Sequence, residues 1–64
     1  MSIEYYEMRK ADYTLRIANL DQQRRTAEKN GQILMAKGCE RSMHVLEKRL
    51  EELEEAYARD EKGV

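Results

Sequence analysis

The 64-residue sequence has no proline, no tryptophan and no phenylalanine, and its glycines number three. With no proline, nothing in the chain forces a helix to stop or kink. Aromatic residues make up 6% against 39% for charged ones, a balance too poor in β-formers and turn residues for a barrel or sandwich. The single cysteine has no partner for an intramolecular disulfide, and one cysteine with one histidine cannot complete a structural zinc site. Long apolar runs are missing as well. The opening MSIEYYEMRKADY is charged every few residues, unlike a signal peptide or a membrane span, so a cytoplasmic protein with no membrane contact is expected. Nor does one sign of charge dominate: 12 Lys and Arg stand against 13 Asp and Glu, which gives no global attraction to nucleic acid or anionic lipid.

What remains is a chain of helix formers, in which Glu, Lys, Arg, Leu, Ala, Met and Gln recur throughout. The fold class is all-α. Ser2 suits the N-cap of a first helix, with Glu4 in its first turn favoured by the helix dipole. Asn30-Gly31 is the strongest turn signal, and Asn30 is expected to close the first helix and also to cap the second. Gly38 is the weaker break, since a glycine inside a helix costs about 1 kcal/mol but need not end it. The expected layout is one domain over 1–64: helix 1 at about 2–29, a turn at 30–31, helix 2 at about 32–61, and fraying of Lys62, Gly63 and Val64.

Apolar residues repeat in alternating steps of three and four. In the first half they are Ile3, Tyr6, Tyr13, Ile17, Leu20 and Ala27, with Lys10 and Arg24 filling the same series. In the second half they are Ala36, Cys39, Met43, Leu46, Leu50, Leu53 and Tyr57. This is coiled-coil spacing, and the two series are out of phase by two residues, which places the fold-back near Asn30-Gly31. An antiparallel two-helix coiled-coil hairpin centred there pairs residues whose numbers add to about 61. Ala27 is then expected against Leu34, Ile17 against Met43 and Leu46, Tyr6 against Leu53 and Ile3 against Tyr57. Long bent helices running side by side in two parallel chains are the alternative.

Helix 1 carries a second apolar stripe. Met1, Met8 and Leu15 are seven apart on the side away from the seam, with Ala11 and Ala18 beside them. A helix apolar on two sides has two neighbours, and a short hairpin without disulfide or metal gains most from association, so dimerisation into a four-helix bundle is expected. Charge is uneven too. Arg24, Arg25, Lys29, Lys37 and Arg41 face only Glu28 and Glu40 around the tip, where Ile33, Leu34 and Met35 add apolar groups, while the stretch from Glu47 to Glu61 is acidic. The candidate protein-interaction residues are therefore Met8, Ala11, Leu15, Ala18, Arg25, Lys29, Ile33, Met35, Lys37 and Arg41.

Catalysis by nucleophile and base needs converging groups in a pocket, and the sequence offers none. His44 flanks the seam between Glu40 and Glu47, and Cys39 sits on the seam as a small hydrophobe. No phosphate loop, His-Glu-x-x-His or EF-hand pattern occurs, and no catalytic residue, metal or cofactor is expected. The function expected is a small non-enzymatic interaction module, an inhibitor, adaptor or regulator docking a helical face or the basic tip on a larger protein, as mobile elements often encode. In topology and length the hairpin also resembles Rop, the plasmid RNA-binding helical-hairpin dimers. That resemblance implies RNA contacts through surface cations such as Arg9, Arg16, Arg25 and Lys29, which Glu7, Asp12, Asp21 and Glu28 interrupt here. A structural coiled-coil scaffold component is the third reading.

Overall fold

Ser2 starts the first helix: its backbone is extended (φ −75°, ψ 150°) and its Oγ accepts the Tyr5 N–H at 3.1 Å, satisfying one of the donors a helix start leaves without a partner. The computed structural model describes residues 1–62 and contains α1 (Ile3–Lys29) and α2 (Ile33–Lys62). Lys62, expected to fray, is instead the last residue of α2, the helix continuing one residue past the expected end, and the fraying expected of Gly63 and Val64 lies outside the described residues. Glu4 lies in the first turn of α1 and Lys29 in its last, each at the end where the helix dipole favours its charge.

The chain reverses through a helix-closing turn built on Gly31. Gly31 has φ +74°, its N–H donates to the Glu28 carbonyl at 3.1 Å, and the Gln32 N–H donates to the Ala27 carbonyl at 2.8 Å. Those two bonds define a Schellman closure, in which the left-handed residue is glycine because a Cβ there is strained. Asn30 ends α1 as expected but does not cap α2. Gln32 takes that place, its carbonyl accepting the Ala36 N–H at 3.0 Å. The turn thus takes three residues rather than two, because the closure uses the N–H of the residue after the glycine.

That extra residue resets the pairing. Tyr6 stacks on Tyr57 with ring centroids 4.2 Å apart and planes 11° from parallel, and the Lys10 ammonium lies 3.9 Å from a Glu54 oxygen. Facing residues in the Tyr6–Tyr57 register have numbers adding to 63 instead of 61. Tyr6 therefore meets Tyr57, not Leu53, and Ile3 is left 56% exposed instead of resting on Tyr57. Leu34 is 85% exposed and has no place against Ala27; the register sets Ala36 there, and both alanines are buried. The rest of the seam stands as read: Tyr13 and Cys39 are buried, and Ile17, Leu20, Met43, Leu46, Leu50 and Leu53 are half-buried along the same line. Arg9 closes the seam's edge at Tyr13, its guanidinium 4.9 Å from the ring centre and donating to the hydroxyl at 2.8 Å.

The resulting hairpin measures 51 by 16 by 9 Å, one helix thick. Its core is thin. Among the described residues no large side chain is fully buried, and two of the four buried residues are alanines. Gly38 lies inside α2 with open space around it, no atom standing within 4 Å of where a Cβ would be. Gly38→Ala is accordingly expected to stabilise the fold by about 1 kcal/mol through helix propensity alone. A thermal melt should show a midpoint higher by roughly 4–8 °C. A drop would mean that α2 is not continuous through this position.

Candidate interaction surface

On α1 the seam consumes one side and the opposite side is left bare. Met8 and Leu15, seven apart and so stacked along one line of α1, are each 62% exposed, and Met1, just ahead of the helix, is 45% exposed. Ala11 and Ala18 lie beside them and are exposed as well. Between these side chains runs a shallow apolar groove floored by Ala11, Leu15 and Ala18, with Glu7, Lys10 and Thr14 along its rim. Because α1 is apolar on two opposed sides, its hydrophobic character has almost no net direction, whereas α2 is distinctly one-sided. The free face belongs to one helix of the two.

The start of this face is held in place from α2. The Met1 ammonium donates to Asp60 Oδ2 at 2.7 Å, tying the first residue to the last turns of the opposite helix. Toward the tip the apolar line gives way to Gln22, Arg25 and Lys29. Arg24 grips Asp21 and Glu28, each at 2.9 Å, and Arg25 Nε lies 3.1 Å from the other Asp21 oxygen. The hydrogen bond from Arg24 holds the Asp21 carboxyl below its usual range; desolvation opposes it, and the positive charges of Arg25 and Arg24 add to the lowering. The same bonds, first to Asp21 and then to Glu28, raise the Arg24 guanidinium.

A pH dependence follows from the direction of the Asp21 shift. Since the folded carboxyl is the stronger acid, its contribution is complete above the ordinary aspartate range, near about 4, and is lost as pH falls through the depressed folded value. Asp21→Asn is expected to melt below the natural protein at neutral pH, with the gap closing under acid. A gap that stays constant from pH 7 to 2 would show that the cluster contributes nothing.

Of the ten residues singled out in the sequence, eight divide between two surfaces and two stand apart at the tip. Met8, Ala11, Leu15, Ala18, Arg25 and Lys29 share the outer face of α1. Lys37 and Arg41 line a second open groove on the outer edge of α2, with Glu40, His44 and Val45. Ile33 and Met35 are 55% and 57% exposed at the tip but, two residues apart on a helix, point to opposite sides of α2 and form no single patch. Sequence reading missed Leu34 and Val45 as members of the α2 edge. Their spacing of eleven, three helical turns along one line, is the one trace in the sequence, and Gly38 and Arg41 interrupt it.

No family model matches the chain, and comparisons with curated proteins and with solved structures give no match either. The surface must therefore be interpreted from its own chemistry. Among the described residues no group of three or more His, Cys, Asp or Glu is placed to hold a metal ion, and no helix is long and apolar enough to cross a membrane. Cys39 is a free, buried thiol.

Proposed function

We propose that this protein is a small non-enzymatic interaction module that docks the outer face of α1 on another protein surface, acting as an inhibitor, adaptor or regulator. One observation carries the reading: Met8 and Leu15 are 62% exposed, and Leu15 with Ala11 and Ala18 forms an apolar groove on the helix side that the hairpin's seam does not use. Apolar side chains of this size, aligned on one face and edged by charge, gain free energy mainly by being covered. The thin core adds support, because a hairpin with so little buried stands to be stabilised by any surface that binds its folded form. Self-association and a foreign partner both satisfy this requirement, and a cytoplasmic setting fits the unpaired cysteine.

The nucleic-acid reading has less in its favour. Arg16 pairs with Asp12, Arg24 and Arg25 pair with Asp21, and Arg9 is folded over Tyr13, so four of the cations nearest to a possible phosphate track are already engaged on their own helix.

Photocrosslinking in the producing cells tests the docking face. With Thr14 on the groove's rim replaced by photoreactive benzoylphenylalanine, covalent adducts are expected; with Glu55, an exposed residue on α2, replaced in the same way, none are expected. An empty lane for Thr14, or equal adducts from both positions, would overturn the reading. The adduct's mass separates occupants, twice the 7.6 kDa chain for a second copy and any other increment for a foreign protein.

A further inference from the structure

The outer face of α1 is complementary to itself in one orientation and one register. Large and small side chains alternate along it in steps of three and four as Met8, Ala11, Leu15 and Ala18, bounded by Glu4 before them and by Gln22 and Arg25 after them. Two such helices laid antiparallel about a twofold axis set the large positions of one against the small positions of the other. With the axis passing between Ala11 and Leu15, Leu15 of each copy lies over Ala11 of the other, and Met8 lies over Ala18. The alanine-floored groove receives the Leu15 and Met8 side chains of the second copy, and the 62% exposure of those two is removed.

Neighbouring registers fail. A shift of one heptad in one direction sets Leu15 against Glu4, and in the other sets Met8 against Arg25, so each shift takes one of the two large α1 side chains off its alanine and onto a charge, whereas the chosen register brings only Met1, ahead of the helix, to Arg25. Charge also selects the orientation. In the antiparallel register Glu4 lies over Gln22 of the second copy, one turn from Arg25, whereas a parallel pair stacks Glu4 on Glu4 and Arg25 on Arg25. A parallel pair also stacks Met8 on Met8 and Ala11 on Ala11, leaving wide and narrow layers that cannot both close.

On these grounds we infer that the occupant of the α1 face is a second copy of this chain, bound antiparallel through α1 about a twofold axis between Ala11 and Leu15. The inference rests on the docking face proposed above and names what fills it. It also fixes the shape of the assembly. Met8, Ala11, Leu15 and Ala18 lie on the side of α1 opposite Tyr6, Tyr13, Leu20 and Ala27, so α1 has its two neighbours on opposed sides. The four helices form a row, α2, α1, α1 and α2, with no common core, in place of a square bundle in which the neighbours of each helix stand at right angles.

Spin-label distances decide the matter. In a Cys39→Ala background, nitroxides are attached through Thr14→Cys, close to the twofold axis, and separately through Gln23→Cys, far from it. Both positions are exposed. The antiparallel row predicts a short distance between copies at position 14 and a long one at position 23, about 30 Å apart along the axis at 1.5 Å per residue. Short distances at both positions would indicate a parallel pair, and a long distance at position 14 would indicate docking through another face; either overturns the inference. Absence of dipolar coupling up to millimolar protein overturns it as well. In that last case crosslinks from Thr14 to a foreign protein would keep the docking reading intact, and their absence would remove both.

Discussion

Leu46→Glu is expected to abolish cooperative folding. Leu46 sits in the middle of the seam, and the Tyr6–Tyr57 register places Ile17 opposite it, with Met43 and Leu50 on the adjacent turns. Truncating a core leucine costs about 2–5 kcal/mol, the lower end applying to the half-buried Leu46, and a carboxylate forced between apolar neighbours costs several more unless it swings out and takes the seam apart. The total stability of a domain this size is only about 3–10 kcal/mol at the usual yield per residue, so the substitution removes most or all of it. Glu47 is the next residue, which makes an added negative charge less welcome still. Circular dichroism of the variant should show a weak helical signal that declines without a transition. Leu46→Met, which keeps the volume, should melt cooperatively within about 1.5 kcal/mol of the natural protein. Leu50→Glu should behave like Leu46→Glu, since the same register sets position 50 against the buried Tyr13. Cooperative melting of both glutamate variants would mean that the seam runs along a different face.

The seam was legible because heptad spacing is a direct record of which side of a helix is buried. Tyr13, Cys39 and Ala36 are buried where the repeat places them, and Ser2 and Gly31 act as the chemistry of caps dictates. What the repeat could not supply was the pairing of one helix with the other. That depends on how many residues the turn consumes, and a pattern of apolar positions is equally satisfied after a slip along the seam. The Schellman closure adds Gln32 to the turn and moves the pairing by two, enough to bring Tyr57 over Tyr6 and to leave Ile3 and Leu34 outside. The α1 outer face was legible for the same reason as the seam, as a second repeat of seven on one helix. The α2 edge was not, because Leu34 and Val45 are separated on that line by Gly38 and Arg41, and a glycine and an arginine give no apolar signal between them.

Met8→Glu and Leu15→Glu are expected to do the opposite of Leu46→Glu, leaving the helices in place while removing association. Both side chains are 62% exposed within a single hairpin, so a carboxylate at either position stays in water and disturbs nothing that the seam holds. In an assembly closed by the α1 face the same carboxylate is driven over Ala18 or Ala11. Loss of an apolar anchor at the centre of an interface costs about 2 kcal/mol or more, and twofold symmetry enters each substitution twice, so dissociation should strengthen by roughly a thousandfold. Sedimentation equilibrium should then report the single-chain mass for both variants at concentrations where the natural protein is heavier. Their melting temperatures should lose any dependence on protein concentration, since only an assembled state carries one. Thr14→Glu, on the groove's rim, should have a smaller effect than either, because its side chain can turn to solvent at the edge. A mass unchanged by both central substitutions, with full helicity, would show that whatever covers this protein does not do so through α1.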